Sequence, residues 1–334
     1  MQRINWIDWA KALAVITVVF CHLPQSQEWF YFRYLQACII TIFFFISGYL
    51  KKDRSSDKEN WKKYWHSLIL PYIIYNVLVY PYWLVKYYML HGEIPDLFSA
   101  LKPIIGAILF EHSSSFAEPL NGPLWYLPAI LFMHATIDLC RKTRYLHQIM
   151  IGLCVVTFFL YAANKYCMFA PNLTPMGIFR RLPYYYIGYI MGRHELFIKM
   201  NSIHDIIGFI CLIPLSILFF YIHLHEERIW PHVLLFYPVN LCFLFGSLYG
   251  CKLLYVIKAK VVENISIGSL LVIGLHFPII GIINYALEHI LNIRNIICYY
   301  WYEALPLCIM IIAFFCPLII ICKHHFPSII GKKH

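Results

Sequence analysis

Apolar residues run along this chain in long, nearly uninterrupted stretches rather than in the regular alternation of half-buried strands or amphipathic helices. Such stretches fall near 5–23, 35–50, 68–90, 124–140, 148–164, 178–192, 205–222, 232–250, 265–286 and 300–322. Most approach the roughly 20 residues an α-helix needs to cross a bilayer. A hydrocarbon interior offers no partner to a backbone N–H or C=O, so a crossing segment must be a helix or part of a closed barrel. Barrel strands, at about 10 residues, are too short to account for these runs. The pattern predicts an all-α polytopic membrane helix bundle of about ten transmembrane helices, forming a single membrane domain over residues 1–334. A further apolar stretch, 97–110, reads as an interfacial or re-entrant helix.

Composition agrees: 61% of residues are hydrophobic and 13% charged, too few charges to furnish a water-exposed surface. The partner is the lipid bilayer. A net charge of +10 raises nucleic acid as a partner, but the basic residues lie in short clusters between apolar runs, where topology signals sit. They are Lys51, Lys52, Arg54, Lys58, Lys62 and Lys63, then Arg141, Lys142 and Arg144, then Arg193 and Lys199, then Lys252, Lys258 and Lys260, and last Lys323, Lys332 and Lys333. All of these fall on one side of the ten-span arrangement, while the opposite loops hold scattered residues such as Lys102, Lys165 and Arg228. The expectation is that both termini are cytoplasmic, with no nucleic-acid partner.

The 12 cysteines are scattered singly, without CxxC or metal-type spacing, and predict neither a disulfide framework nor a metal site. The first run carries Lys11 and has no small-residue cleavage site after it, so it reads as a retained helix rather than a signal peptide. The longest outer loop, 91–123, is too short for a separate domain, and its Glu111 and His112 read as solvated.

An ionisable side chain inside a spanning helix costs on the order of 2.5–3.5 kcal/mol, so each is a functional candidate. The first helix carries Asp8, Lys11 and His22. At about 100° per residue, the eleven steps from Lys11 to His22 return to the same helix face about 16 Å along the axis. Asp8, one turn before Lys11, is placed to pair with it. Two readings stand side by side. Lys11 snorkels and His22 bonds to a neighbouring helix, or one polar stripe faces a cavity in which a deep cation holds an anionic ligand and the histidine acts as general base.

Other polar positions carry similar alternatives. His276 is a second proton shuttle, a partner of His22, or a core histidine bonded between helices. Ser47 and Gly48 read as small residues that let helices approach. Trp125 and Tyr126 are expected at interfacial depth as belt residues, with sugar stacking as the second reading. Arg180 and Arg181 run against the positive-inside trend and suit an anionic glycan or a lipid phosphate. His134 and Asp138, four apart, are expected to bond to each other. A transporter or exporter of a lipid-linked glycan is the rival class, but no repeated halves or paired broken helices are evident.

Five elements in order carry a resemblance. Trp6-Ile7-Asp8-Trp9-Ala10-Lys11 opens the chain, with ten residues between Lys11 and His22. Phe43-Phe44-Phe45-Ile46-Ser47-Gly48-Tyr49-Leu50 and Leu70-Pro71-Tyr72 follow, then Gly122-Pro123-Leu124-Trp125-Tyr126-Leu127, and finally Ser269-Leu270 with Leu275-His276-Phe277-Pro278. Together they resemble membrane-bound acyltransferase family 3, in its fucose 4-O-acetylase-like branch. Lys11 stands where many members carry arginine, which forfeits a bidentate fork toward phosphate, and Ala12 replaces a common glycine.

The resemblance implies an O-acyltransferase of the bacterial inner membrane. It would move an acetyl group, or succinyl equally well, from acyl-CoA to a hydroxyl of a cell-surface or exported carbohydrate. Acetyl-CoA is the expected donor and no bound cofactor is expected. Lys11 and His22 become the catalytic pair: His22 deprotonates the acceptor or carries the acyl group itself, and Lys11 supports the donor. Asp8, Trp125, Tyr126, Arg180, Arg181 and His276 are the expected substrate-binding residues.

Overall fold

The computed structural model describes residues 4–52, 56–110, 120–167, 180–197, 202–290 and 298–332, and among them all regular structure is helical. In chain order the α-helices are α1 (Asn5–His22), α2 (Phe30–Cys38), α3 (Ile40–Tyr49), α4 (Asp57–Tyr64), α5 (Leu70–His91), α6 (Leu97–Ile108) and α7 (Tyr126–Cys140). They continue with α8 (Leu146–Cys167), α9 (Leu182–Arg193), α10 (Ser202–His225), α11 (Ile229–Leu253), α12 (Lys260–Ile267), α13 (Ser269–Tyr285) and α14 (Trp301–His325).

Among the described residues, eight helices are long and apolar enough to cross a membrane, counting α2 with α3 and α4 with α5 as single rods. Two of the ten predicted runs are of another kind. The α1 helix has 18 residues, but Asn5, Asp8, Lys11 and His22 dilute its hydropathy. The described part of the sixth run is α9, at 12 residues, about 18 Å long. The α6 helix is equally short at 12 residues and lies along α5, where Tyr72 and Tyr80 donate to the carbonyls of Ala107 and Ala100 at 2.7 and 3.0 Å.

The third run is longer than hydropathy predicts. Its helix starts at Asp57, not near residue 68, and continues for 35 residues to His91. Ser56 caps it by accepting from the Glu59 N–H, with Asp57 and Glu59 in the first turn of α4 and Lys62 and Lys63 in its last. At about 52 Å the rod exceeds the roughly 30 Å hydrocarbon layer. Lys58, Lys62 and Lys63 of the basic cluster therefore ride on a helical extension rather than in a loop, while Lys51 and Lys52 precede it.

Close backbone contacts hold the bundle together, as expected where lipid and side chains are equally apolar. Gly188 and Gly192 on α9 face α3, where an added Cβ would lie 2.1 Å from the carbonyl oxygens of Phe45 and Tyr49. Gly48 answers from α3, 2.0 Å from the Tyr185 carbonyl by the same measure. The helix-approach reading of Gly48 holds. The α10–α11 hairpin packs Gly208 and Gly250 against the rings of Tyr249 and Phe209, and its buried Lys252–Asp205 ion pair spans 2.9 Å.

A second buried pair ties three helices. Lys51 Nζ, after α3, lies 2.6 Å from Asp138 Oδ1 on α7. Tyr64 of α4 donates to Asp138 Oδ2, and Arg141 Nε lies 3.3 Å away. The expected His134–Asp138 bond is corrected. His134 Nδ1 bonds the Tyr185 hydroxyl at 2.6 Å and its ring stacks on Tyr64. Asp138 turns instead to the buried ammonium because a charged partner compensates its desolvation better than a neutral imidazole would.

Two outcomes follow for stability. Gly188→Ala forces α3 and α9 apart, and purified protein in detergent should lose about 1–3 kcal/mol, the usual cost of overpacking, read as a lower melting temperature. Asp138→Leu strands the Lys51 ammonium and should cost about 3–5 kcal/mol; an unchanged melting temperature would show that Lys51 finds another counter-charge.

Candidate functional site

The α1 helix runs through the middle of the bundle, against α2, α3, α11, α12, α13 and α14. Ala10, Ala12, Ala14, Val15 and Val19 give it a narrow buried surface on which neighbours can approach. Its polar residues open into cavities. Ile7, Asp8 and Lys11 line one of about 610 Å³. Val18, Cys21 and His22 line another of about 390 Å³. Tyr126 and Ile273 line both, so one tyrosine and one isoleucine are the shared part of their walls.

Tyr126 is held there from several directions. The Gly122–Trp125 turn, with Pro123 in its first positions, leads into α7, and Asn121 Nδ2 ties that turn to the Gly274 carbonyl of α13 at 2.6 Å. The Tyr126 hydroxyl bonds Ser47 Oγ at 2.9 Å, and its ring meets Phe43 and Phe44 edge-on, with centroids 5.6 and 5.4 Å away. The belt position expected for Tyr126 is thus corrected: it is buried at the junction of the two cavities. Ser47 is more than a helix-packing residue, because it lines the Lys11 cavity and its hydroxyl bonds Tyr126.

In the first cavity Asp8 accepts a hydrogen bond from Ser266 of α12 at 2.6 Å, beside Lys11. Lys63, Ser67, Ser269 and Lys332 also line it. Nothing in the sequence pattern marked Lys63 and Lys332 as site residues, since they served as topology signals. Ser266 lies in a mixed stretch with no motif of its own.

In the second cavity His22 Nδ1 lies 2.8 Å from the Val18 carbonyl. A carbonyl only accepts, so Nδ1 carries the hydrogen, and in the neutral ring Nε2 then keeps its lone pair. His276 is built the same way, with Nδ1 at 2.8 Å from Val272 O and 3.1 Å from Ile273 O. Its Nε2 is buried with no hydrogen-bond partner among the described residues. The two rings are 4.8 Å apart, edge to face.

Arg181, buried just before α9, lines this cavity with its guanidinium 5.5 Å over the half-buried Trp125 ring. Gln36 of α2 is a further polar wall. Arg180 is directed elsewhere, over Tyr161 and Phe236 at 5.5 and 5.2 Å. The structure therefore gathers His22, Trp125, Tyr126 and Arg181, with His276 against His22, and groups Asp8 with Lys11. Arg180 is left out. Glu111 and His112 lie outside the described residues.

No curated protein and no solved structure matched the chain. A family model described as an acyltransferase domain matches residues 4–323, which takes in α1 to α13, nearly all of α14 and most residues of both cavities. The chain belongs to acyltransferase family 3 and is a membrane acyltransferase.

Proposed function

We propose that this enzyme is an O-acyltransferase of the bacterial inner membrane, taking an acetyl or similar small acyl group from acyl-CoA to a hydroxyl of a cell-surface or exported carbohydrate. The observation that carries this reading is the pair of cavities set end to end along α1, one holding Lys11 and the other His22, with Tyr126 and Ile273 common to both. Acyl-CoA is a polyanion at one end and a thioester at the other, joined by an extended pantetheine arm. A cation and a base about 16 Å apart on one helix face suit those two ends.

The chemistry then divides between the cavities. The donor's phosphates enter on the Lys11 side, which faces the basic loops, and the arm passes between the cavities at Tyr126. In the second cavity the sugar has Trp125 as an aromatic surface, with Arg181 and Gln36 as hydrogen-bond donors.

His22 Nε2 takes the proton of the acceptor hydroxyl as its oxygen attacks the thioester carbonyl carbon. The tetrahedral adduct collapses, the C–S bond breaks, and the leaving thiolate receives the proton from His22. The buried Nε2 of His276 beside it, without a hydrogen-bond partner among the described residues, supports a positioning role toward the imidazolium formed in that step.

Alkali-labile acyl groups on the surface polysaccharide should be present in cells carrying the intact protein. In cells with His22→Ala they should fall by about 10²- to 10⁴-fold, the range supplied by general base catalysis, at equal membrane levels of the protein. Retention of acylation by His22→Ala removes His22 as base. Loss of the polysaccharide itself without the protein, with no change in its acylation, points to an exporter instead.

A further inference from the structure

The segment that follows α14 closes one side of the Lys11 cavity. Residues Pro327 to Lys332 form a compact turn in which the Lys332 N–H donates to the Pro327 carbonyl at 2.9 Å. The turn is pinned to α5, since the Tyr75 hydroxyl donates to Ile329 O at 2.7 Å and Ile330 is buried. Gly331 makes the approach possible. It adopts a left-handed φ of 71°, and a Cβ there would lie 3.1 Å from the Ser67 carbonyl. That geometry sets Lys332 on the cavity wall, together with Lys63 of α4 and Ser67 of the π-helical turn between α4 and α5.

Charge makes this wall informative. Among the described residues the cavity is lined by Lys11, Lys63 and Lys332 on the cationic side and by Asp8 alone on the anionic side. These three lysines come from α1, α4 and the post-α14 turn, so no local sequence pattern gathers them; the fold does. Ser67 and Ser266 of the same lining already donate their hydroxyl hydrogens, to the Lys63 carbonyl and to Asp8, and Ser269 is the serine there whose hydroxyl can donate to a phosphate oxygen. Lys332 also lies beyond the residues that the family match covers, 4–323.

We infer that Lys332 and Lys63 form a clamp for the nucleotide phosphates of the acyl donor, with the post-α14 turn as a built part of the donor site. This rests on the acyl-CoA reading above and specifies which residues hold the end of the donor remote from the thioester. Lys11 meets the same phosphates from α1, and Lys332, the exposed lysine of the three, stands at the mouth. A point-charge ammonium on a flexible stem suits several phosphate oxygens without a fixed fork.

The test uses membranes containing the full chain and its own polysaccharide as acceptor, with acetyl-CoA or the phosphate-free donor S-acetylpantetheine. Lys332→Gln and Lys63→Gln should each raise the KM for acetyl-CoA by about tenfold, the loss of one charge-assisted contact, with kcat unchanged and Lys332→Arg restoring most of it. With S-acetylpantetheine the variants and the intact protein should not differ. Adenosine 3′,5′-bisphosphate should inhibit acetyl-CoA-driven transfer by the intact protein, and its inhibition constant should weaken about tenfold in Lys332→Gln. Equal effects on both donors, no effect on either, or unaltered inhibition by the bisphosphate would overturn the clamp while leaving the acyl-CoA reading in place. Transfer by the intact protein from neither donor would overturn that reading and the clamp with it.

Discussion

A hydrocarbon surrounding tolerates almost no unsatisfied polar group, and that constraint decides where α1 must sit. A helix carrying Asn5, Asp8, Lys11 and His22 cannot face lipid around its circumference, so the rest of the chain is wrapped about it. Its polar atoms are satisfied from far along the sequence. Asn5 donates to the carbonyls of Tyr255 and Ile257, Trp9 Nε1 donates to Ile257 at 3.0 Å, and Asp8 accepts from Ser266. These contacts join the first and last thirds of the chain around one axis. What remains of the polar stripe opens into cavities, and the requirement to hide polar groups from lipid thereby becomes the means of presenting them to substrate.

Packing without a hydrophobic drive between helices explains why the walls of those cavities are well defined. Where Gly48, Gly188 and Gly192 let α3 and α9 meet backbone to backbone, α3 is held rigidly enough to bring Ser47 to the Tyr126 hydroxyl. The same contact carries Arg181, just before α9, to Trp125. Buried ion pairs act at other joints: Lys51 with Asp138, and Lys252 with Asp205. Breaking one partner of such a pair costs more than the pair contributes, which favours one arrangement of helix ends over slipped alternatives.

The two histidines show how backbone carbonyls can prepare a base. In both, the bond from Nδ1 to a carbonyl one turn earlier fixes the tautomer, a task that a carboxylate performs in many hydrolases. No carboxylate lines the His22 cavity among the described residues, and the ring of His276 occupies the neighbouring place. A neutral partner suits a buried site, because a carboxylate there would carry its own desolvation cost.

The sequence alone determined the class of fold, because the length and apolarity of its runs admit only spanning helices, and it determined the enzyme family, because five motifs keep their order along the chain. It also determined that Lys11 and His22 share a face, since both lie on one helix whose period is known. Other features arose only from tertiary packing. The start of the third helix at Asp57 escaped hydropathy because a charged helix and a charged loop look alike by that measure. Tyr126 reads as an interfacial residue until the Asn121 and Ser47 contacts draw it into the core. His134 and Asp138, adjacent by helical period, part company because each finds a better partner on another helix. The separation of Arg181 from Arg180, the shared wall at Tyr126 and Ile273, and the arrival of Lys332 beside Lys63 all depend on contacts between residues remote in sequence. Periodicity is a property of one element at a time, whereas a cavity is a property of the several elements that surround it.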